Sequence, residues 1–461
     1  MNQNAGSMNN VVTVVADSGL CSGCGVCAGV CPNQALKMTR LDNGDLAVQR
    51  TNNSCRDNCN ICITVCPFSE GLFNPRSVHE STFGRSSKNA LTRMHDDVGY
   101  FCGAFVGYSD EHRKSSASGG LLSWTLEELL KSETVDCVAA VTCNMETEEG
   151  YSFTFKVART VEEIRECSGS VYHQVEISEI VKQIIAEPGR KWAITGVPCL
   201  CAALRNAMIL LPKLRRSIVY IFGLACGMYQ NRFYTDMLLS TANVPITESK
   251  RINYREKATS VSPGNYKFSV SGKNGIVGRE ISYKELPYYL GKNAFFRINS
   301  CNYCMDVFSE TADSCFMDAW LPEYKSDFMG NSIVLVRNYE LLNLYENFKK
   351  NSLFIKPIEI ECVVQSQIGH VRRKRQLIFM RLKNNLISQN KTFFRFSDKI
   401  DWLLQFSVQQ KSKEAWIYAN NRGNIKTFWR VMLPWTLLIS IKQIFNRFEK
   451  LSSRIADRII K

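Results

Sequence analysis

Eight cysteines near the N-terminus stand at spacings suited to iron–sulfur ligation. Cys21, Cys24, Cys27 and Cys31 precede Pro32 in a C-x2-C-x2-C-x3-C-P run, and Cys55, Cys59, Cys62 and Cys66 precede Pro67. Three thiolates so close in sequence can wrap one face of an iron–sulfur cube. The fourth, set before proline, points away and ligates the other cluster of a pair. The pattern therefore assigns Cys21, Cys24, Cys27 and Cys66 to one [4Fe–4S] cluster, and Cys55, Cys59, Cys62 and Cys31 to a second. The second block departs from the usual run: three residues, not two, separate its first pair. Two zinc sites are the alternative. Zinc spacing usually sets two C-x2-C pairs far apart, and it gives no reason for a repeated Cys-Pro ending. One-electron chemistry is the expectation.

These ligands need a small scaffold. Between the blocks, Ala35–Met38 and Leu46–Val48 flank Asn43-Gly44, a hairpin signal. Residues 1–70 thus read as a compact α+β ferredoxin-like domain. Residues 71–98 are polar, with Asn74-Pro75 and a serine-rich patch, and read as a linker. Over 99–365, short apolar runs (Val138–Val141, Trp192–Thr195, Ile218–Phe222) alternate with helical stretches (Leu121–Lys131, Leu200–Leu211), which argues for an α/β domain. Residues 366–461 read as a basic helical tail.

The chain has 461 residues, enough for two or three domains. Its start, Met1–Asn10, lacks a basic stretch followed by an apolar run, which argues against a secretory signal. Thiol-ligated clusters need reduced cysteines, so the nineteen cysteines suit a reducing, cytoplasmic setting. The net charge of +14 is local: Val371–Lys461 holds 20 Lys and Arg against 5 Asp and Glu, so the remainder is close to neutral.

In the middle domain, Ser116-Ala117-Ser118-Gly119-Gly120 precedes the helical stretch from Leu121. Small residues at a helix start can admit a phosphate to free N–H groups, or can simply form a serine cap and glycine turn. Gly196-Val197-Pro198-Cys199 and Ala225-Cys226-Gly227 each follow an expected strand, where binding residues gather in open α/β sheets. Arg297–Cys304 adds a C-x2-C pair, Cys301 and Cys304. Together these four cysteines are enough for a further cluster or a zinc ion. Cys102, Cys137, Cys143, Cys167 and Cys362 read as small buried hydrophobes. His79, His95, His112, His173 and His370 show no metal spacing and read as surface or structural residues.

The order of cysteine blocks, Ser-Gly-Gly, Gly-x-Pro-Cys with Ala202-Ala203-Leu204-Arg205 behind it, Cys-Gly and Cys-x2-Cys resembles the beta subunits of coenzyme F420-reducing hydrogenases and formate dehydrogenases. It is also similar to bacterial relatives associated with polysaccharide synthesis. The resemblance spans roughly residues 15–380. It implies FAD in an α/β flavin-binding domain, with Ser118, Gly119 and Gly120 against the flavin phosphates. Gly196, Pro198 and Cys199 would lie near the flavin or an adjacent cluster. Cys199, Cys226, Cys301 and Cys304 are inferred to hold that third [4Fe–4S] cluster. Leu200 stands where the family usually has Gln. Gly227 stands where it often has His, and Ala312–Asp318 departs from Ala-Asp-Ile-x-x-Gly-Asp, so F420 as substrate is not implied.

The tail opens with Arg372-Arg373-Lys374-Arg375 and carries Phe393-Phe394, Trp402, Trp416, Phe428-Trp429 and Trp435. Its apolar stretch Val431–Ile441 is well short of the roughly 20 residues that span a bilayer. An ordinary helical extension, peripheral contact with an anionic membrane and nucleic-acid binding are the three readings. Nothing in the redox body supports the last. The sequence thus points to an iron–sulfur flavoprotein oxidoreductase, carrying electrons from ferredoxin or a similar donor through clusters to FAD and a small-molecule hydride acceptor. A non-catalytic electron-transfer subunit and a glycan-assembly protein binding a nucleotide-sugar are the alternatives.

Overall fold

Runs of β-branched and aromatic residues after position 100 build an eight-stranded sheet on which the other elements rest. The computed structural model describes residues 10–84, 91–147, 150–167, 169–257, 266–272, 275–283, 285–286, 290, 293–348, 353–376, 396–422 and 424–459. β1 (Leu36–Arg40) and β2 (Leu46–Arg50) form an antiparallel hairpin, as do β3 (Arg93–His95) and β4 (Gly99–Phe101). The main sheet has the order β15 (Leu353–Pro357), β5 (Gly103–Ser109), β14 (Ser332–Val336), β13 (Ser314–Asp318), β9 (Ile218–Leu224), β8 (Trp192–Gly196), β6 (Cys137–Thr147), β7 (Gly150–Ala158). A small antiparallel sheet joins β10 (Ser249–Glu256), β11 (Lys267–Gly272) and β12 (Ile281–Ser282). The protein is therefore mixed α/β.

The centre of the main sheet, β13-β9-β8-β6, is parallel, while β7, β14 and β15 run against their neighbours. Central parallel strands are covered on both faces, and all five residues of β8 are buried. Side chains alternate across the sheet. Val138, Ala140, Tyr220 and Phe222 meet Leu121, Trp124 and Leu129 of the helix Leu121–Lys131. From the opposite face, Ala139, Ile194 and Ile221 meet the helices Ser178–Ala186 and Pro198–Leu210.

That second face also receives the N-terminal unit. Val26, Val30, Val65 and Phe68 share one core with Val181, Ile184, Ala203 and Ala207. Gln174 stitches the joint: its amide donates to the carbonyls of Ser22 (3.1 Å) and Leu46 (3.0 Å) and accepts from the Leu46 N–H (2.8 Å). At the tip of the β1–β2 turn, Gly44 has φ +81°, where any side chain would also strike Phe233. The cysteine-bearing unit is fastened to the sheet domain.

The segment expected to be a linker, residues 71–98, instead contains the helix Arg76–Phe83, with His79 and Phe83 buried. Phe73 exchanges backbone hydrogen bonds with Tyr303 and Met305. The polar sequence concealed a few apolar anchors. His79 accepts from the Tyr100 N–H at Nε2 (2.6 Å), which leaves Nδ1 to donate to the Glu310 carbonyl (2.6 Å). Cys362, expected to be buried, is exposed, whereas Cys102 and Cys137 are buried and Cys143 and Cys167 half-buried.

In the tail, the helices Phe396–Asn420 and Ile425–Ile459 pack their inner faces on the small sheet. Val408, Trp416, Phe428, Met432 and Ile439 join Tyr254, Phe268, Phe295 and Phe296 in one core. Leu433, Leu437, Ile441 and Ile444 remain exposed along the outer face. Phe393 and Phe394 lie outside the described residues. Among the described residues no helix is long and apolar enough to cross a membrane.

Burial, aided by the Arg337 charge, lowers the His79 pKa to about 4. The unfolded ring binds a proton near pH 6.5 and the folded one does not, so this residue's stabilising contribution is complete above 6.5. It is lost as pH falls toward 4. Chemical denaturation at pH 7 and pH 4.5 should show the wild type losing up to about 3 kcal/mol more than His79→Gln.

Candidate iron–sulfur sites

Each N-terminal set is assembled from two segments. Cys21 and Cys24 lie on the loop leading into the short helix Val26–Gly29, Cys27 lies within that helix, and Cys66 caps the helix Ile61–Val65. Cys66 faces Cys24 and Cys21, and Cys27 faces Cys24, Cys21 and Cys66. In the other set Cys62 faces Cys59, Cys55 and Cys31. Cys66 thus lies near Cys21, Cys24 and Cys27, and Cys31 lies near Cys62. Cys62 also neighbours Cys27 and Cys66, so the two sets adjoin.

Burial pushes the thiols of Cys21, Cys24, Cys27, Cys62 and Cys66 up, Cys24 to about 11. Buried thiols this close cannot ionise together without a cation among them, and thiolate is the metal-ligating form. Backbone N–H groups point at the sulfurs: Val48 and Gly23 at Cys21, Val11 at Cys62, Phe68 at Cys66 and Ala35 at Cys31 (3.3 Å). Such bonds stabilise a negatively charged cluster. The donor sets therefore fit the implied group.

A third thiol group lies at the carboxyl edge of the main sheet. Cys199 stands in the first turn of the helix that leaves β8, and Cys226 follows β9. Cys301 and Cys304 lie on and just after the 3₁₀ turn Asn299–Tyr303. All four line one cavity, together with Phe68, Val197, Pro198, Tyr229 and Lys374. The Tyr229 N–H donates to Cys301 Sγ (3.2 Å). Burial pushes Cys301 up to about 12, with Cys226 adding to the effect. Cys24 of the N-terminal unit is close enough across the joint to push the Cys199 thiol further up. Four convergent thiols with a backbone donor suit an iron–sulfur cluster.

Two departures from the family pattern have local causes. Leu200 is buried against Gly196, in the apolar core beneath the cavity. The His370 ring occupies the space into which a side chain at Gly227 would project.

The Ser118 turn does not line this cavity. It follows β5, and β14, β13 and β9 lie between β5 and β8, roughly 19 Å at the usual strand spacing. Its polar groups are engaged within the protein. Ser118 Oγ donates to the Asn331 carbonyl (2.9 Å), and the Gly119 N–H donates to Ser332 Oγ (2.9 Å). Lys257 Nζ donates to the Ser118 carbonyl (2.7 Å). A Cβ at Gly119 would lie 2.5 Å from the Gly107 carbonyl oxygen, so close strand packing already demands this glycine. Ser118 Oγ and the Gly119 N–H are not free for a flavin phosphate. Gly120, at φ +80°, caps the following helix. Gly196 closes β8, and Pro198 lines the thiol cavity.

The four-residue basic run that seemed to open a solvent-facing tail is partly internal. Lys374 Nζ lies 3.2 Å from Cys304 Sγ and donates to the Asp306 carbonyl (2.6 Å). Arg373 is half-buried beside Cys226 and Cys301. Arg375 pairs with Asp97 (3.0 Å) and Glu310 (2.6 Å). No local sequence signal distinguishes these residues from a surface basic run.

Fold and thiol geometry define an iron–sulfur redox protein. The chain belongs to the family of coenzyme F420 hydrogenase/dehydrogenase beta subunits: the family's N-terminal model matches residues 104–182 and its C-terminal model residues 189–360. A 4Fe–4S binding domain model matches residues 14–37. The F component of the F420H2 dehydrogenase of Methanosarcina mazei is 23% identical over 308 residues, 66% of this chain and 76% of the relative. A chain from the F420-reducing [NiFe] hydrogenase complex of Methanosarcina barkeri is 17% identical, with a TM-score of 0.47, covering 64% of this chain and 97% of that one.

Anaerobically reconstituted protein should hold about 12 irons, four for each thiol set. Cys226→Ser should leave about eight, measured by iron and acid-labile sulfide assays. Zinc in place of iron and sulfide would contradict the assignment.

Proposed function

We propose that this protein is an electron-transferring oxidoreductase subunit that accepts single electrons from ferredoxin or a similar donor and delivers them to the carboxyl edge of its main sheet. The observation that carries this reading is the contiguity of three thiol sets. Cys62 adjoins the set of Cys27 and Cys66, and Cys24 of that set lies near Cys199. Cys21, Cys24, Cys27 and Cys66 would hold one [4Fe–4S] cluster, Cys55, Cys59, Cys62 and Cys31 a second, and Cys199, Cys226, Cys301 and Cys304 a third. Clusters so held supply one-electron chemistry, taking and releasing electrons without proton transfer from a side chain. The protein's part is to fix the sulfurs, to keep water away from them with Phe68, Val197 and Pro198, and to direct N–H groups toward the developing negative charge.

Reduction by an excess of chemically reduced ferredoxin tests the path. Freeze-quenched electron paramagnetic resonance should show the Cys199 set reduced at least tenfold more slowly in Cys66→Ser than in the wild type, while dithionite reduces both alike. Equal rates with ferredoxin would mean that electrons enter the sheet edge directly.

FAD bound on the same edge, serving an organic hydride acceptor, is the second reading. It rests on family membership and on a basic group near the Ser118 turn. Half-buried Lys257 donates to the carbonyls of Arg113 and Ser118, and Arg255 forms a two-pronged bond to Asp318 (2.9 and 3.0 Å). Since Ser118 Oγ and the Gly119 N–H are engaged, contact with the flavin phosphates would fall to Lys257 and to the start of the helix Leu121–Lys131. Acid extracts of anaerobically purified protein should contain FAD in near-equimolar amount, at least fivefold less in Lys257→Ala. An extract without flavin would leave an electron relay to a partner protein.

A further inference from the structure

The carboxyl-edge cavity is built with positive charge on one side. Lys374 is only 3% exposed, and its ammonium sits within hydrogen-bonding distance of Cys304 Sγ. Arg373, from the same π-helical turn Arg372–Gln376, is half-buried near Cys226 and Cys301, with its Nη1 shielded from solvent. Its Nη1 has no hydrogen-bond partner among the described residues. Burying a guanidinium nitrogen unpaired is costly, so something negative is expected to face it. Asp306, whose charge acts on Lys374, already accepts from the Glu310 N–H (3.2 and 3.1 Å).

The N-terminal sets have a different setting. The charged side chains acting on their thiols are Asp45 near Cys21 and Glu176 near Cys24. Asp45 is itself paired with Lys413 (2.7 Å). No Lys or Arg figures among the main influences on Cys21, Cys24, Cys27, Cys62 or Cys66. Reduction adds one negative charge to a cluster, and a cation in a low-dielectric interior favours the reduced form. Net charge and hydrogen bonds to sulfur are among the terms that set a cluster's potential.

We infer that Arg373 and Lys374 are positioning charges that raise the reduction potential of the Cys199–Cys226–Cys301–Cys304 site above that of the N-terminal sets, so that electrons collect at the sheet edge. The inference rests on the third cluster proposed above. One electron enters from a ferredoxin-class donor at low potential, comes to rest where the two cations stabilise it, and leaves singly to the acceptor. The basic run at the head of the C-terminal region thereby becomes part of the redox site.

The test is a redox titration of full-length, anaerobically reconstituted protein followed by electron paramagnetic resonance. In the wild type the Cys199-set signal should be the first reduced as potential is lowered. Lys374→Met should shift its oxidised-to-reduced ratio at fixed potential at least tenfold toward oxidised, or 59 mV for one electron. The N-terminal signals should not move, and Lys374→Arg should restore most of the shift. Arg373→Gln, which removes no bond to a ligand sulfur, should shift the same signal in the same direction, so a folding defect in Lys374→Met does not decide the matter. Unchanged potentials with full iron content would overturn the inference and reduce the pair to structural counter-ions. A wild type holding only about eight irons would overturn the third cluster itself, an outcome the iron assay distinguishes.

Discussion

Like charges held together away from water repel strongly, and every arrangement around the thiol seam answers to that repulsion. Two thiolates 4 Å apart oppose each other by about 4 kcal/mol even at an effective dielectric of 20. Twelve cysteines meet along the joint between the N-terminal unit and the sheet domain. Without metal, burial holds the thiols in their protonated form, as the upward shifts of Cys24, Cys27 and Cys199 show. The remaining compensation comes from backbone N–H groups and, at the sheet edge, from Lys374 and Arg373.

Holding that seam requires rigid surroundings on both sides. The helix Pro198–Leu210 supplies one wall. Its inner residues Leu200, Ala203 and Ala207 are locked into the same core as Val26, Val65 and Phe68. Gln174 ties the β1–β2 hairpin and the Cys21 loop to the sheet domain, and Phe73 ties the chain leaving the second cysteine block to the Cys301–Cys304 turn. A ferredoxin-like module joined by a loose tether could not keep Cys24 near Cys199. The helix in residues 71–84, where sequence polarity implied a tether, is consistent with this requirement.

Features with a strong local period were legible in the sequence. The hairpin at Asn43-Gly44, the strands that became β6, β8 and β9, and the helix from Leu121 all followed from turn chemistry and apolar spacing. The meeting of the two N-terminal cysteine blocks in one unit followed from their ferredoxin-type spacing. Convergence of Cys199, Cys226, Cys301 and Cys304 was inferred with the help of the family pattern, since strand-end placement alone left a cluster and zinc equally open. What stayed hidden depends on partners distant in sequence. His79 looks like a surface residue until Glu310 and the Tyr100 N–H close on it. Ser118 and Gly119 look like a phosphate cradle until Asn331 and Ser332 take up their hydrogen bonds. A run of four basic residues carries no mark of which face it will turn inward.

The bridge between Phe73 and Cys304 fastens the chain leaving the second cysteine block to the Cys301–Cys304 turn. A group bound there would act as a cross-link, closing chain loops of more than a hundred residues between Cys199 and Cys304. Closure entropy grows with loop length, and binding energy gained only in the folded state becomes folding energy. Air would then act on this protein as a denaturant as well as an oxidant: when sulfur or iron is oxidised, the fastening between its halves goes with the electrons.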